Sequence, residues 1–235
     1  MNVSGKRAVV FGGTSGIGLA TTQMLADGGA TVIAISRNPS KAGELPANVT
    51  IQSCDVRDKV AVESLLNKLG QIDILVSAAT GGDRAIGPFL EMDMDGFKSS
   101  FEKLWGYANV VRYGAGNVVD GGSITLISGA PARKPRPGQI ALSSVGSAVE
   151  AMVRAVAREV SPRIRINVVS PGVIDTPMMP VKGSERKVVY DKMTKNNLIP
   201  RPGTADEVAA GVMFVIKNGF VTGTTVDVDG GSLLT

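Results

Sequence analysis

The run Phe11-Gly12-Gly13-Thr14-Ser15-Gly16-Ile17-Gly18 is the first stretch whose residue types suggest chemistry. Glycines let a backbone turn tightly and approach a pyrophosphate. A helix N-terminus opening just behind them offers unpaired N–H groups and a favourable dipole. Gly12, Thr14, Ser15, Gly16, Ile17 and Gly18 are therefore candidate phosphate-cradling residues, and the plainer alternative is a tight turn with close helix–sheet packing. Ser36-Arg37 follows the second apolar run, where an NAD site wants a carboxylate for the ribose 2′-hydroxyl. A carboxylate would repel a 2′-phosphate, whereas an arginine fork pairs with it, so NADP(H) is favoured over NAD(H). The alternative for Arg37 is a solvated surface residue. Asp55 stands in position to accept a hydrogen bond from an adenine amino group, to cap a helix opening at Arg57, or to do both.

What the chain lacks is equally informative. Among its 235 residues there is no histidine. That removes Ser-His-Asp and Cys-His catalysis and any imidazole-ligated metal, and no metal site is expected. Proton transfer near neutral pH then falls to Tyr, Lys, Asp, Glu, the one Cys or water. Lys and Arg outnumber Asp and Glu by 25 to 21 with no basic block, so nucleic acid is not the expected partner. The lone Cys54 has no internal disulfide partner, the apolar runs read as too short for a bilayer, and the N-terminus lacks a leader pattern. A cytoplasmic protein with no membrane association is the expectation.

These residues need elements to hold them. Strands are expected at Lys6–Phe11, Ala30–Ile35, Val49–Ser53, Ile72–Ser77, Ser123–Ser128, Arg163–Val169 and Thr225–Val228. Helices are expected at Gly16–Gly28, Arg57–Leu69, about Asp93–Gly114, Gln139–Val160 and Ala205–Lys217. Alternation of strands that are apolar on both faces with helical patterns predicts an α/β fold: one Rossmann-like domain with a doubly wound parallel sheet. Ligands of such sheets bind beyond the carboxyl ends of the strands. Gly81-Gly82-Asp83-Arg84 then extends the loop after the fourth strand toward a substrate pocket. Arg133, Lys134 and Arg136 lie in the loop after the fifth, either as a solvated loop or as a reception for an anionic substrate.

Taken together, the motifs resemble those of the short-chain dehydrogenase/reductase family over nearly the whole chain. The family's Gly-x-x-x-Gly-x-Gly falls on Gly12, Gly16 and Gly18, its Asp-Val on Asp55-Val56, its Asn-x-x-x-Pro-Gly on Asn167 to Gly172, and its closing Val-Asp-Gly-Gly on Val228 to Gly231. The resemblance implies a homotetramer or homodimer acting on a small molecule. It implies that Pro171, Gly172, Ile174 and Thr176 flank the nicotinamide. The family's Asn-Asn-Ala-Gly after the fourth strand is replaced by Ser77-Ala78-Ala79-Thr80, still expected at the cofactor.

The departures lie at the chemical end. Alignment on Ser147-Ala148-Val149-Glu150-Ala151 puts Leu142 in the family's catalytic Tyr position and Gly146 in its Lys position. Its Ser position falls on Gly129, beside Ser128, and its helical Asn falls on Lys103. Leu142 has nothing to donate, so proton delivery needs a relocated group or a substrate that needs little help. Lys103, Ser128 and Tyr190 are the candidates, with Tyr190 in the segment that forms a substrate lid in this family. The alternatives are a solvated helix residue for Lys103 and lid packing for Tyr190. Three functions follow: an NADP(H)-dependent reductase of an iminium, activated alkene or carbonyl; an NADP(H)-binding non-redox or regulatory protein; or an inactive partner subunit of an active homologue.

Overall fold

The computed structural model describes residues 1–39, 42–80 and 83–235. Apolar runs rich in Val and Ile form β1 (Arg7–Phe11), β2 (Thr31–Ser36), β3 (Val49–Ser53), β4 (Ile72–Ser77), β5 (Val118–Ile127), β6 (Arg165–Pro171) and β9 (Thr225–Val228). Two short strands, β7 (Ile174–Asp175) and β8 (Gly203–Thr204), pair with each other. The helices are α1 (Gly16–Asp27), α2 (Lys59–Leu69), α3 (Met94–Ser100), α4 (Glu102–Gly114), α5 (Ile140–Val160), α6 (Gly183–Thr194) and α7 (Ala205–Lys217).

Among the described residues the main sheet has seven strands in the order β3-β2-β1-β4-β5-β6-β9, every neighbouring pair parallel. The chain winds outward from β1 to β3, then crosses back to β4. The direction of winding therefore reverses between β1 and β4, which is where ligands of such sheets bind. Register keeps the carboxyl ends level there: Phe11 pairs with Ile35 on one side and Ser77 on the other.

Side chains of β1 alternate between two cores. Val9 and Phe11 join Leu66 of α2, Val110 of α4 and Val149 of α5; Ala8 and Val10 join Leu25 of α1 and Val212 of α7. Burial on both faces is what made the strands read as near-continuous apolar runs. The expected α/β fold is therefore the observed one.

Several boundaries differ from the sequence reading, for local physical reasons. The expected helix from Asp93 to Gly114 is two helices broken at Phe101. There the Phe101 amide takes the tighter bond to the Lys98 carbonyl, and the Ser100 hydroxyl bonds back to Gly96 while accepting from Ala85. Helix α2 starts at Lys59 rather than Arg57, because the Asp58 carboxylate, not Asp55, caps the amides of Val60 and Ala61. Strand β5 begins at Val118, ahead of the expected Ser123, since Gly121 and Gly122 pass through a register shift instead of ending the strand. Strand β6 runs from Arg165 to Pro171, two residues later than expected at each end. Among the described residues one helix, α5, is long and apolar enough, by length and composition, to cross a membrane, against the expectation from the apolar runs. Its Val145, Val149, Val153 and Ala157 are buried in this protein, the last three of them in the core cluster.

Candidate active site

A cavity of about 620 Å³ opens beyond the carboxyl ends of β1, β2, β4, β5 and β6. Of the expected cofactor residues, Gly12, Thr14, Ser15, Gly16, Ile17, Gly18, Ser36, Arg37, Asp55, Val56, Ala78, Ala79, Pro171, Gly172, Ile174 and Thr176 line it. Ser77 does not. It is fully buried between Phe11 and Leu126 in the sheet.

The glycines at this end do separate jobs. Gly12 has a positive φ of 76°, and a Cβ there would lie 2.7 Å from the Ala79 amide nitrogen, so the β4 loop closes directly over the turn. A Cβ on Gly18 would lie 2.0 Å from the Gly12 carbonyl oxygen, so α1 can enter this close only with glycine. Gly16 has a positive φ of 52°, and a Cβ there would make ordinary contact with Thr176 at 3.5 Å, so the backbone conformation rather than crowding calls for glycine. The first turn of α1 carries no acidic residue, and the Ser15 side chain makes no capping bond. Its amides are thus left for an anion.

The outer part of this end matches an adenosine 2′-phosphate. Arg37 lines the cavity and has no ion-pair partner among the described residues. The buried hydroxyl oxygen of Ser36 beside it is likewise without a partner among the described residues, so it is free to bond a ligand in the cavity it lines. Asp55 accepts from the Arg57 amide at 3.0 Å and its guanidinium at 2.6 Å. Those bonds, and secondarily the Arg57 and Arg37 charges, hold its carboxyl below the usual range despite the opposing cost of burial.

At the other end the walls are side chains. Lys103 and Tyr107 share one face of α4, four residues apart. The Lys103 ammonium donates to the Ser128 carbonyl at 3.3 Å and sits 5.5 Å from the centre of the Tyr107 ring. Protein crowds it on most sides. Desolvation, with a smaller contribution from the Arg84 charge, pulls its pKa down to about 7. The Tyr107 hydroxyl donates to the Ile127 carbonyl at 3.0 Å, and burial pushes its pKa up, so it stays a bound phenol.

Ser128 also lines the cavity, but its hydroxyl donates to buried Glu150 of α5 at 2.9 Å. Arg133 lies 3.4 Å from the far oxygen of that carboxylate and also pairs with Asp227. Arg133 is thereby turned away from any anionic-substrate role. Leu142 and Gly146, one helical turn apart on α5, both line the cavity. A Cβ on Gly146 would sit 2.9 Å from the Ala132 methyl, so the loop before α5 packs against bare backbone.

Tyr190 is not in the cavity wall. It is 3% exposed on α6, donating to the Asp175 carboxylate at 3.1 Å and lying under Arg186. It packs on α6 beside Arg186, which gathers Asp175 and the carbonyls of Thr176, Met179 and Val181. Gly81 and Gly82 fall outside the described residues, while Arg84 lines the cavity.

Sequence reasoning missed Tyr107 and Glu150. Tyr107 had a usable signal in its four-residue spacing from Lys103. Glu150 had one too, as a carboxylate set inside the apolar stripe Val149 to Val153.

The fold and cavity define an α/β nucleotide-binding protein built on a glycine-rich strand–helix turn. A family model described as enoyl-(acyl carrier protein) reductase matches residues 12–232, and the chain belongs to the short-chain dehydrogenase/reductase family. It is 33% identical to the 3-oxoacyl-[acyl-carrier-protein] reductase FabG of Thermotoga maritima, covering 100% of both chains. It is 32% identical to the cyclic-di-GMP-binding biofilm dispersal mediator protein of Escherichia coli K12, covering 97% of each. Among solved structures, BdcA in complex with NADPH superposes with a TM-score of 0.85 at 31% identity, over 97% of this chain and 94% of that one.

Proposed function

We propose that this protein is an NADPH-dependent reductase of a small carbonyl compound or activated alkene, with Lys103 in the proton-delivering role. The observation that carries this is the placement of Lys103: the ammonium borders the cavity, bound to the Ser128 carbonyl at 3.3 Å, with its pKa brought to about 7. A general acid works best with a pKa near the working pH. The neighbours at Leu142 and Gly146, which the resemblance places at the family's Tyr and Lys positions, offer no proton.

The glycine-rich turn, the first turn of α1, Ser36, Arg37 and Asp55 hold the dinucleotide, and Arg37 takes the 2′-phosphate. The NADPH-bound structural relative supports that choice. Bound NADPH supplies a hydride to substrate carbon. Lys103 has three N–H donors and spends one on the Ser128 carbonyl. The remaining two serve the substrate atom on which negative charge develops. The Ser128 proton is committed to Glu150, so Ser128 positions Lys103 through its carbonyl rather than acting through its hydroxyl. Arg186 fastens the lid segment that shields this end from water.

NADPH oxidation tests this with a panel of carbonyls and activated alkenes. Lys103→Met should lower kcat/KM by about 10²–10⁴-fold while leaving NADPH affinity nearly unchanged. The wild-type rate should fall as pH rises through about 7, and the variant should lose that inflection. Unaltered turnover in the variant would remove Lys103 from the chemistry. An intact cofactor site with no turnover of any substrate would favour the regulatory binder, which the lack of an acid at Leu142 supports.

A further inference from the structure

The chemical end of the cavity carries charge of one sign. Arg84, Lys103, Lys134 and Arg136 line it, while the one carboxylate of the cavity wall among the described residues, Asp55, lies at the nucleotide end paired with Arg57. Lys134 donates to the Ser232 carbonyl at 2.9 Å and Arg136 to the Met193 carbonyl at 3.5 Å. Both partners are neutral, so neither charge is cancelled. Arg84, exposed at the cavity, has no hydrogen-bond or ion-pair partner among the described residues. The rest of this wall includes Ile86, Leu142, Met178 and Met179, which suit an apolar body. Cations gathered on one cavity wall without acids among the described residues set up a positive field that draws in an anion.

We propose that the substrate is a small carboxylate with an apolar body, and that Arg84 is the group that receives the carboxylate. The proposal rests on the reading of this cavity as a reductase site. Arg84 is suited because its planar fork matches a carboxylate in two parallel bonds and is not engaged elsewhere among the described residues. A phosphate monoester would call on Lys134 and Arg136 as well, and both already hold the protein together. A cationic iminium without its own carboxylate would meet like charge.

The test is calorimetric titration of the full chain, with and without NADP⁺, using benzoate, cinnamate and 2-oxo-4-phenylbutanoate, each against its methyl ester. At least one acid should bind about 10- to 100-fold more tightly than its ester, the range set by a charge-assisted hydrogen bond. Arg84→Ala should close that gap by weakening the acid alone, and Arg84→Lys should close it partly. Equal binding of every acid and ester, no binding by any acid, or a gap that survives Arg84→Ala would overturn the proposal. So would tighter binding of 2-phenylethyl phosphate than of the acids. NADP⁺ binding without acid preference sinks the carboxylate site alone. Acid preference through Arg84 without NADP⁺ binding sinks the reductase reading and keeps the anion site.

Discussion

At the nucleotide end of the cavity the recognising groups are mostly main chain: the turn at Gly12, the free amides of α1 and the β4 loop pressed against them. At the chemical end they are side chains brought from α4, the loop before α5 and the segment after β4: Lys103, Lys134 and Arg84. The first end depends on what is absent, a Cβ here and an acidic residue there. The second depends on where long, charged side chains meet, and on how far burial shifts them. The two ends should therefore break in different ways.

The largest effect is expected from adding one methyl group at the main-chain end. In Gly18→Ala the new Cβ would sit 2.0 Å from the Gly12 carbonyl oxygen, and backbone cannot swing aside as a side chain can. Overpacking of this kind costs about 1–3 kcal/mol, and the turn that must give way is the one that holds the pyrophosphate. NADPH affinity measured by fluorescence titration should fall about 100-fold, equivalent to roughly 2.7 kcal/mol. Affinity within a few-fold of wild type would mean that the turn is not built around this contact.

Arg37→Ala sharpens the comparison, because Arg37 is a side-chain determinant within the main-chain end. Removing a charge-assisted bond to the 2′-phosphate should weaken NADPH by about 10–100-fold. NADH lacks that phosphate and should change by no more than about 2-fold, since the turn and helix amides are untouched. Equal losses for both cofactors, titrated at matched salt, would take Arg37 away from the phosphate.

The contrast also explains what could be read from the sequence. A main-chain site leaves a local signature, since its glycines must follow a strand and open a helix. Sixteen of the seventeen expected cofactor residues line the cavity accordingly. Ser77 does not line the cavity because it is the last residue of β4 and is fully buried. The chemical end leaves no such signature. Tyr190 and Lys103 were equal candidates by residue type, and only tertiary packing sends one under Arg186 and the other into the cavity. Glu150 stood out as a carboxylate in an apolar stripe, but its pairing did not, because its partner, Ser128, is 22 residues away along the chain. Of the fold, the doubly wound parallel sheet followed from the β-α-β alternation. The break at Phe101 did not, because it depends on Ser100 binding the amide of Ala85 across a loop.

The smallest effect is the one that separates burden from function at Lys103. Its pKa falls from 10.5 to about 7 in the folded chain. Between those values the unfolded chain keeps a proton that the native protein has released, so stability rises with pH across that window. Below about 7 both states are protonated, and the folded state bears the whole cost of a desolvated ammonium. Lys103→Met should therefore stabilise the protein in acid, with Tm raised by about 2–4 °C near pH 6, or roughly 1 kcal/mol. The gain should shrink steadily as the pH approaches 10.5, where the wild-type amine is neutral in both states. Paired thermal melts at several pH values read this directly. A gain of the same size at both extremes would mean that methionine only packs better, and that the charge of Lys103 is not under strain. A gain confined to acid, in a variant that has also lost turnover, would identify Lys103 as a group held at a cost to the fold for the sake of the chemistry.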